Sequence, residues 1–118
     1  MKNPFENLRT DTRPILQGKW VNYPALRDFS TRHVFVDGRF HVKVLTGQQD
    51  GQWVAGVSIQ MPNNGYGFFP SRRWGQFASE KNAMLWALGC ALTLKLVAPA
   101  DKAVKNEIEK LSQFNLFQ

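Results

Sequence analysis

Cysteine is almost absent from this sequence: its 118 residues include one, Cys90. A lone thiol cannot close an internal disulfide, which predicts a chain kept in a reducing, cytoplasmic compartment. Histidine is nearly as scarce, with only His33 and His41, and neither falls in a Cys/His spacing that suits zinc. Acidic residues are outnumbered, nine Asp and Glu against fifteen Lys and Arg, and no carboxylate pair reads as an acid–base set. Gly65-Tyr66-Gly67 is too short and wrongly placed for a phosphate-binding loop. With these elements missing, the sequence predicts no enzyme, no metal and no cofactor.

A long apolar run is missing too. The longest, Ala83–Ala98, would span roughly 24 Å as a helix, short of the ~30 Å hydrocarbon core, and Lys95 falls inside it. No membrane partner is expected. Met1–Leu8 is polar and carries Pro4, so no secretion leader is expected either. Internal repeats and low-complexity runs are absent. The length fits one domain able to bury a core without staples.

What is present is a helix that organises the rest. Ser79–Val97 is apolar on nearly every side after Asn82, the mark of a buried helix. Ser79 is a suitable N-cap and Glu80 suits the positive end of the dipole. Ala83, Ala87 and Ala91 form a small-residue stripe that admits a neighbouring backbone. Cys90 falls among apolar neighbours, so its thiol is expected to be inert. Pro99 is expected to end the run.

Before this helix the pattern has period two. His33–Val36, Asp37-Gly38 and Arg39–Thr46 read as a hairpin with a two-residue turn. Gly47–Asp50 leads to a third strand over Gly51–Met61, and Pro62–Gly65 to a fourth over Tyr66–Phe69. Consistent registers put Phe35, Phe40, Val42, Val44, Trp53, Ala55, Val57, Ile59, Met61, Tyr66 and Phe68 on one face, where the helix should dock. The other face reads Val34, Val36, Arg39, His41, Lys43, Val54, Gly56, Ser58, Gln60, Gly67 and Phe69. The expected fold class is α+β: a four-stranded antiparallel meander packed on one long buried helix, plus a short C-terminal helix over Lys102–Leu111 capped by Asp101. Val104, Ile108 and Leu111 form that helix's apolar stripe. The domain plan is a basic N-terminal arm over 1–30, a sheet-plus-helix core over 31–98, and a C-terminal helix and tail over 99–118. The arm carries Arg9, Arg13 and Lys19, has Phe5, Leu8, Ile15, Leu16 and Trp20 as staples onto the domain, and is predicted to hold a short helix near Pro24–Phe29.

Arg39, His41 and Lys43 alternate along one strand and so stand together on the open face. Phe69 shares that face, and the Arg72-Arg73-Trp74 loop follows it. Cations bind phosphates and flat aromatic faces accept unpaired bases, which suits single-stranded nucleic acid. The bland alternative is a solvated sheet face with Phe69 and Trp74 covered by the N-terminal arm. The exposed edges of the meander also allow pairing into a homodimer.

The order of sheet then helix resembles small single-stranded-DNA-binding domains of the Whirly and transcription-cofactor type. Gly65-Tyr66-Gly67, Arg72-Arg73 and the Ala-rich helix resemble the end of double-stranded-RNA-binding domains, although the first helix and the spacing of that family are missing. At the other end, Gln113-Phe114-Asn115-Leu116-Phe117 resembles the pentapeptide by which bacterial polymerases and repair proteins bind the sliding clamp. The match covers five residues and departs from the pattern at Phe114. The resemblance implies that Gln113, Phe114, Leu116 and Phe117 contact the clamp, with Leu116 and Phe117 in an apolar cleft. If instead Leu111 and Phe114 continue the helical spacing, the tail merely packs on the domain. The sequence thus predicts a non-enzymatic, DNA-binding accessory protein of DNA metabolism from a bacterium, plasmid or phage. The alternative is a protein-interaction module or inhibitor without a nucleic-acid role.

Overall fold

The structure is a computed structural model. It describes residues 2–10, 15–16, 18–20 and 23–114, apart from the side chains of residues 15, 16, 19, 20 and 114. Arg13, Asn115, Leu116 and Phe117 therefore lie outside the described residues, as do the side chains of Ile15, Leu16, Lys19, Trp20 and Phe114. The fold is α+β. In the arm, a 3₁₀ turn over Glu6–Leu8 precedes a two-stranded antiparallel ribbon, β1 (Ile15–Leu16) and β2 (Lys19–Trp20). The main sheet is the expected meander, β3 (Ser30–Asp37), β4 (Phe40–Gln49), β5 (Gln52–Gln60) and β6 (Gly65–Phe68), hydrogen-bonded in that order. A 3₁₀ turn over Arg72–Trp74 leads to α1 (Glu80–Leu92), and α2 (Ala98–Phe114) follows.

The predicted faces hold although every turn differs from the expected one. Asp37 pairs with Phe40, so the first turn is Gly38-Arg39, with Gly38 at φ +60°. Gln49 pairs with Gln52, and Asp50 and Gly51 take φ +53° and +78°. Positive φ at both central residues is the type I′ pattern, so Asp-Gly chemistry appears at the second hairpin instead of the first. Gln60 pairs with Gly65 across the third connection. Each register moves by an even step, which leaves inward residues inward.

One irregularity does reverse a face. The β3–β4 ladder shifts between His33 and Phe35. Past this bulge, His33 sits opposite Lys43 and Arg32 opposite Val44. Val34, expected on the open face, is instead partly buried against the core.

The core lies between the sheet and α1. Val42, Val44, Ala55, Val57, Ile59 and Met61 meet Ala83, Trp86, Ala87, Leu88, Cys90 and Ala91. Ala100 and Val104 of α2 complete it, with Ile108 and Leu111 packed against its margin. The sheet, α2 and the Glu6–Leu8 turn all contact α1, which is why that helix is apolar all round. Burying a Leu or Val side chain contributes about 1.5–3 kcal/mol, so this layer is the main stabilising term.

The helix boundaries differ from those expected. Ser79 does cap α1, its hydroxyl accepting from the Asn82 N–H at 3.1 Å. The helix stops at Leu92, where the Thr93 hydroxyl donates to the Cys90 carbonyl at 2.7 Å. Proline lacks the N–H that a first turn leaves unused, so Pro99 falls inside the first turn of α2 rather than ending a run. The helix expected near Pro24–Phe29 is absent. Its backbone groups are spent on the sheet side instead: Leu26 N–H donates to the Pro70 carbonyl, and the Tyr23 and Pro24 carbonyls accept from Ser71 Oγ and Gln49 Nε2.

Candidate nucleic-acid interface

The face of the sheet opposite α1 divides in two. Toward the Asp50-Gly51 turn it is covered. Val54 is fully buried, and Leu26, Asp28 and Phe29 press on Gly47 so closely that a side chain there would clash with Leu26. Pro70 and Ser71 are also buried. Toward the Gly38-Arg39 turn the face is accessible. Here β4 presents His41 and Lys43, with Arg39 exposed at the turn and its guanidinium 5.7 Å from the Phe40 ring centre. The bulge adds exposed His33 directly opposite Lys43. Val36 opposes His41 and is 58% exposed.

On the other flank, Lys43 lies opposite Ser58 and His41 opposite Gln60. His41 Nε2 is 2.9 Å from Ser58 Oγ, a hydrogen bond that fixes the imidazole along the sheet. Among the described residues Lys43 has no ion-pair partner. Its charge is therefore open to an external anion. Phe69 marks the boundary of the covered half: it is 58% exposed, and the Phe29 ring stands 5.6 Å from it at 44°.

The arginine–tryptophan turn is not part of this patch. Arg72 is mostly buried at the covered end. Its N–H donates to Gln49 Oε1 at 2.7 Å, its guanidinium meets Asp50 at 3.2 Å, and it lies 4.6 Å over the Tyr23 ring. Gln49 lies six steps along β4 from Lys43, roughly 20 Å at about 3.3 Å per residue. Arg72 thus straps the arm to the second hairpin. Trp74 turns toward the helix side, 4.9 Å from Phe68, and its indole N–H donates to the Phe69 carbonyl. Phe68 in turn meets Trp86 at 5.9 Å. Arg73 is exposed and stacks over Trp74 at 5.1 Å. The structure therefore places His41 and Lys43 on the accessible face, with Arg39 at its turn end and Phe69 at its covered boundary two strands away, and separates Arg72, Arg73 and Trp74 from them. Sequence reasoning missed His33 and Phe29, because neither the bulge nor the course of the arm has a local signal.

Gln113 is exposed in the last turn of α2, its amide 3.5 Å from Glu109. Elsewhere, burial pushes the Cys90 thiol up to about 11 and the Tyr66 phenol up to about 12. The phenol donates to the Cys90 carbonyl at 3.2 Å. Neither group faces the accessible patch.

Among the described residues no three His, Cys, Asp or Glu side chains form a group able to hold a metal. No described helix is long and apolar enough to cross a membrane. Compared with protein-family models, with curated proteins and with solved structures, the chain matches none.

Proposed function

We propose that this chain is a non-enzymatic accessory protein of DNA metabolism that binds single-stranded nucleic acid across the accessible half of its sheet. The observation that carries this reading is the cluster His33, Lys43, His41 and Arg39 on a sheet face that also carries an exposed phenylalanine two strands from Lys43, on a chain of net charge +6. Lysine and arginine supply the salt-sensitive phosphate attraction, and Phe69 supplies a stacking face. An open sheet face with an exposed ring suits unpaired bases better than a duplex groove. The test is fluorescence anisotropy with a labelled single-stranded oligonucleotide over a salt series. Affinity should fall steeply between about 50 and 200 mM salt. Affinity that survives raised salt favours instead the protein-interaction reading, in which Phe69 and Val36 meet an apolar partner.

A second contact is proposed through the C-terminal pentapeptide. Gln113, the first residue of the motif, is exposed in the last turn of α2, which leaves its side chain accessible to a partner. A bacterial sliding clamp should be retained by the full chain and lost on Leu116→Ala with Phe117→Ala. Retention by the double variant would remove this reading.

A further inference from the structure

We infer that the groove between Phe69 and the β5–β6 backbone is a subsite for one unstacked nucleobase. This rests on the nucleic-acid reading above and assigns a part of it that charge alone does not. The groove has a volume of about 160 Å³ and is lined by Leu45, Val57, Ser58, Gly67, Phe68 and Phe69. Ser58 pairs with Gly67 and with Lys43 on its two sides, so groove and cation share one face.

Three features suit a base. The first is a bare floor: Gly67 has no side chain, and a Cβ there would stand 2.9 Å from the Val57 carbonyl oxygen. A flat ring can lie on such a surface where a branched side chain at that position would fill it. The second is a wall. Phe69 remains 58% exposed while Phe29 braces its ring from the arm. Holding a large apolar ring in water loses burial energy, and a braced ring loses little further rotamer freedom when a base stacks on it. The third is a polar rim, with the Ser58 hydroxyl held by His41 and the Lys43 ammonium one strand away. The rim provides hydrogen bonding for a base edge and a charge for the phosphate beside it. An apolar peptide side chain could use the floor and the wall but not the rim, and the net positive charge favours the polyanion.

The experiment compares wild type with Phe69→Ala, using a labelled oligothymidylate and an abasic oligomer of the same length. Phe69→Ala should weaken oligothymidylate binding about 5- to 100-fold, the effect of losing one stacked base. It should leave the salt slope and abasic binding unchanged, and Phe69→Trp should restore affinity. As a check independent of folding, ultraviolet cross-linking of a 5-iodouracil oligomer to wild type should label the peptide that contains Phe69. Equal affinity of Phe69→Ala and wild type for oligothymidylate, or equal loss on both oligomers, overturns the subsite while the wider binding surface stands. Wild type that binds neither oligomer overturns both.

Discussion

Arg32 on β3 and Glu107 on α2 meet at 2.6 Å, the guanidinium half exposed and the carboxylate nearly buried. No donor is aligned on Glu107 Oε2 as a hydrogen bond, so the contact is one of charge. It exists because the bulge at Val34 turns Arg32 toward the helices. Replacing Arg32 with Ala should destabilise the fold by about 1–3 kcal/mol, because it leaves a desolvated carboxylate unpaired. Adding Glu107→Gln should recover part of that loss. Urea denaturation of the two variants measures both effects.

Gly89 on α1 is the seat of the N-terminal arm. A Cβ there would clash with the Asn3 carboxamide, which donates to the Trp86 carbonyl at 2.9 Å and approaches Cys90 Sγ at 3.4 Å. Gly89→Ala should therefore detach Asn3 and lower stability, although Ala favours a helix over Gly by about 1 kcal/mol. In an Asn3→Ala background the same change should be neutral or stabilising. A double-mutant cycle by thermal melting reads the reversal.

Alkaline stability follows from Cys90 and Tyr66. Both are neutral when protonated, and burial holds their protons more tightly in the fold than in the unfolded chain. Their contribution is complete below pH 9.0, the ordinary value of the thiol, and is lost as pH rises through about 11 for Cys90 and about 12 for Tyr66. Denaturation midpoints should begin to fall above pH 9. In Cys90→Ala the fall should begin later, as the phenol alone leaves its ordinary value of 10.0.

The strap at Arg72 separates a structural role from a binding one. Arg72→Ala should cost about 1–2 kcal/mol through the lost contacts with Asp50 and Tyr23. Arg73→Ala, at an exposed residue, should change stability by less than about 0.5 kcal/mol. Equal costs for the two would show that Arg72 bears no load between the arm and the second hairpin.

Charge reversal at Lys43 addresses the proposed surface directly. Lys43→Glu should weaken oligonucleotide binding and reduce the slope of log affinity against log salt by about 1, as expected on losing a phosphate contact. Glutamate at exposed Lys102 should change the slope less, because that residue lies on α2, away from the patch.

The sequence by itself determined the layers and the faces. The two-residue period before Ser79, the all-round apolar helix after it and the stripe Val104, Ile108 and Leu111 are local patterns. Burial enforces them, because a slip of one residue would expose a whole apolar row. It determined His41 and Lys43 as neighbours for the same reason. Where α1 stops and α2 starts was less legible, since Thr93 and Pro99 each admit two local roles.

Only the tertiary structure decided which part of the second face is accessible. The Tyr23–Phe29 segment gives up a helix to hydrogen-bond with Pro70, Ser71 and Gln49. In doing so it hides Val54, braces Phe69 and draws Arg72 away from the cationic row. A one-residue bulge exchanged His33 for Arg32 on that face. Such contacts join residues far apart in the chain, and neither propensity nor periodicity within any one segment records them.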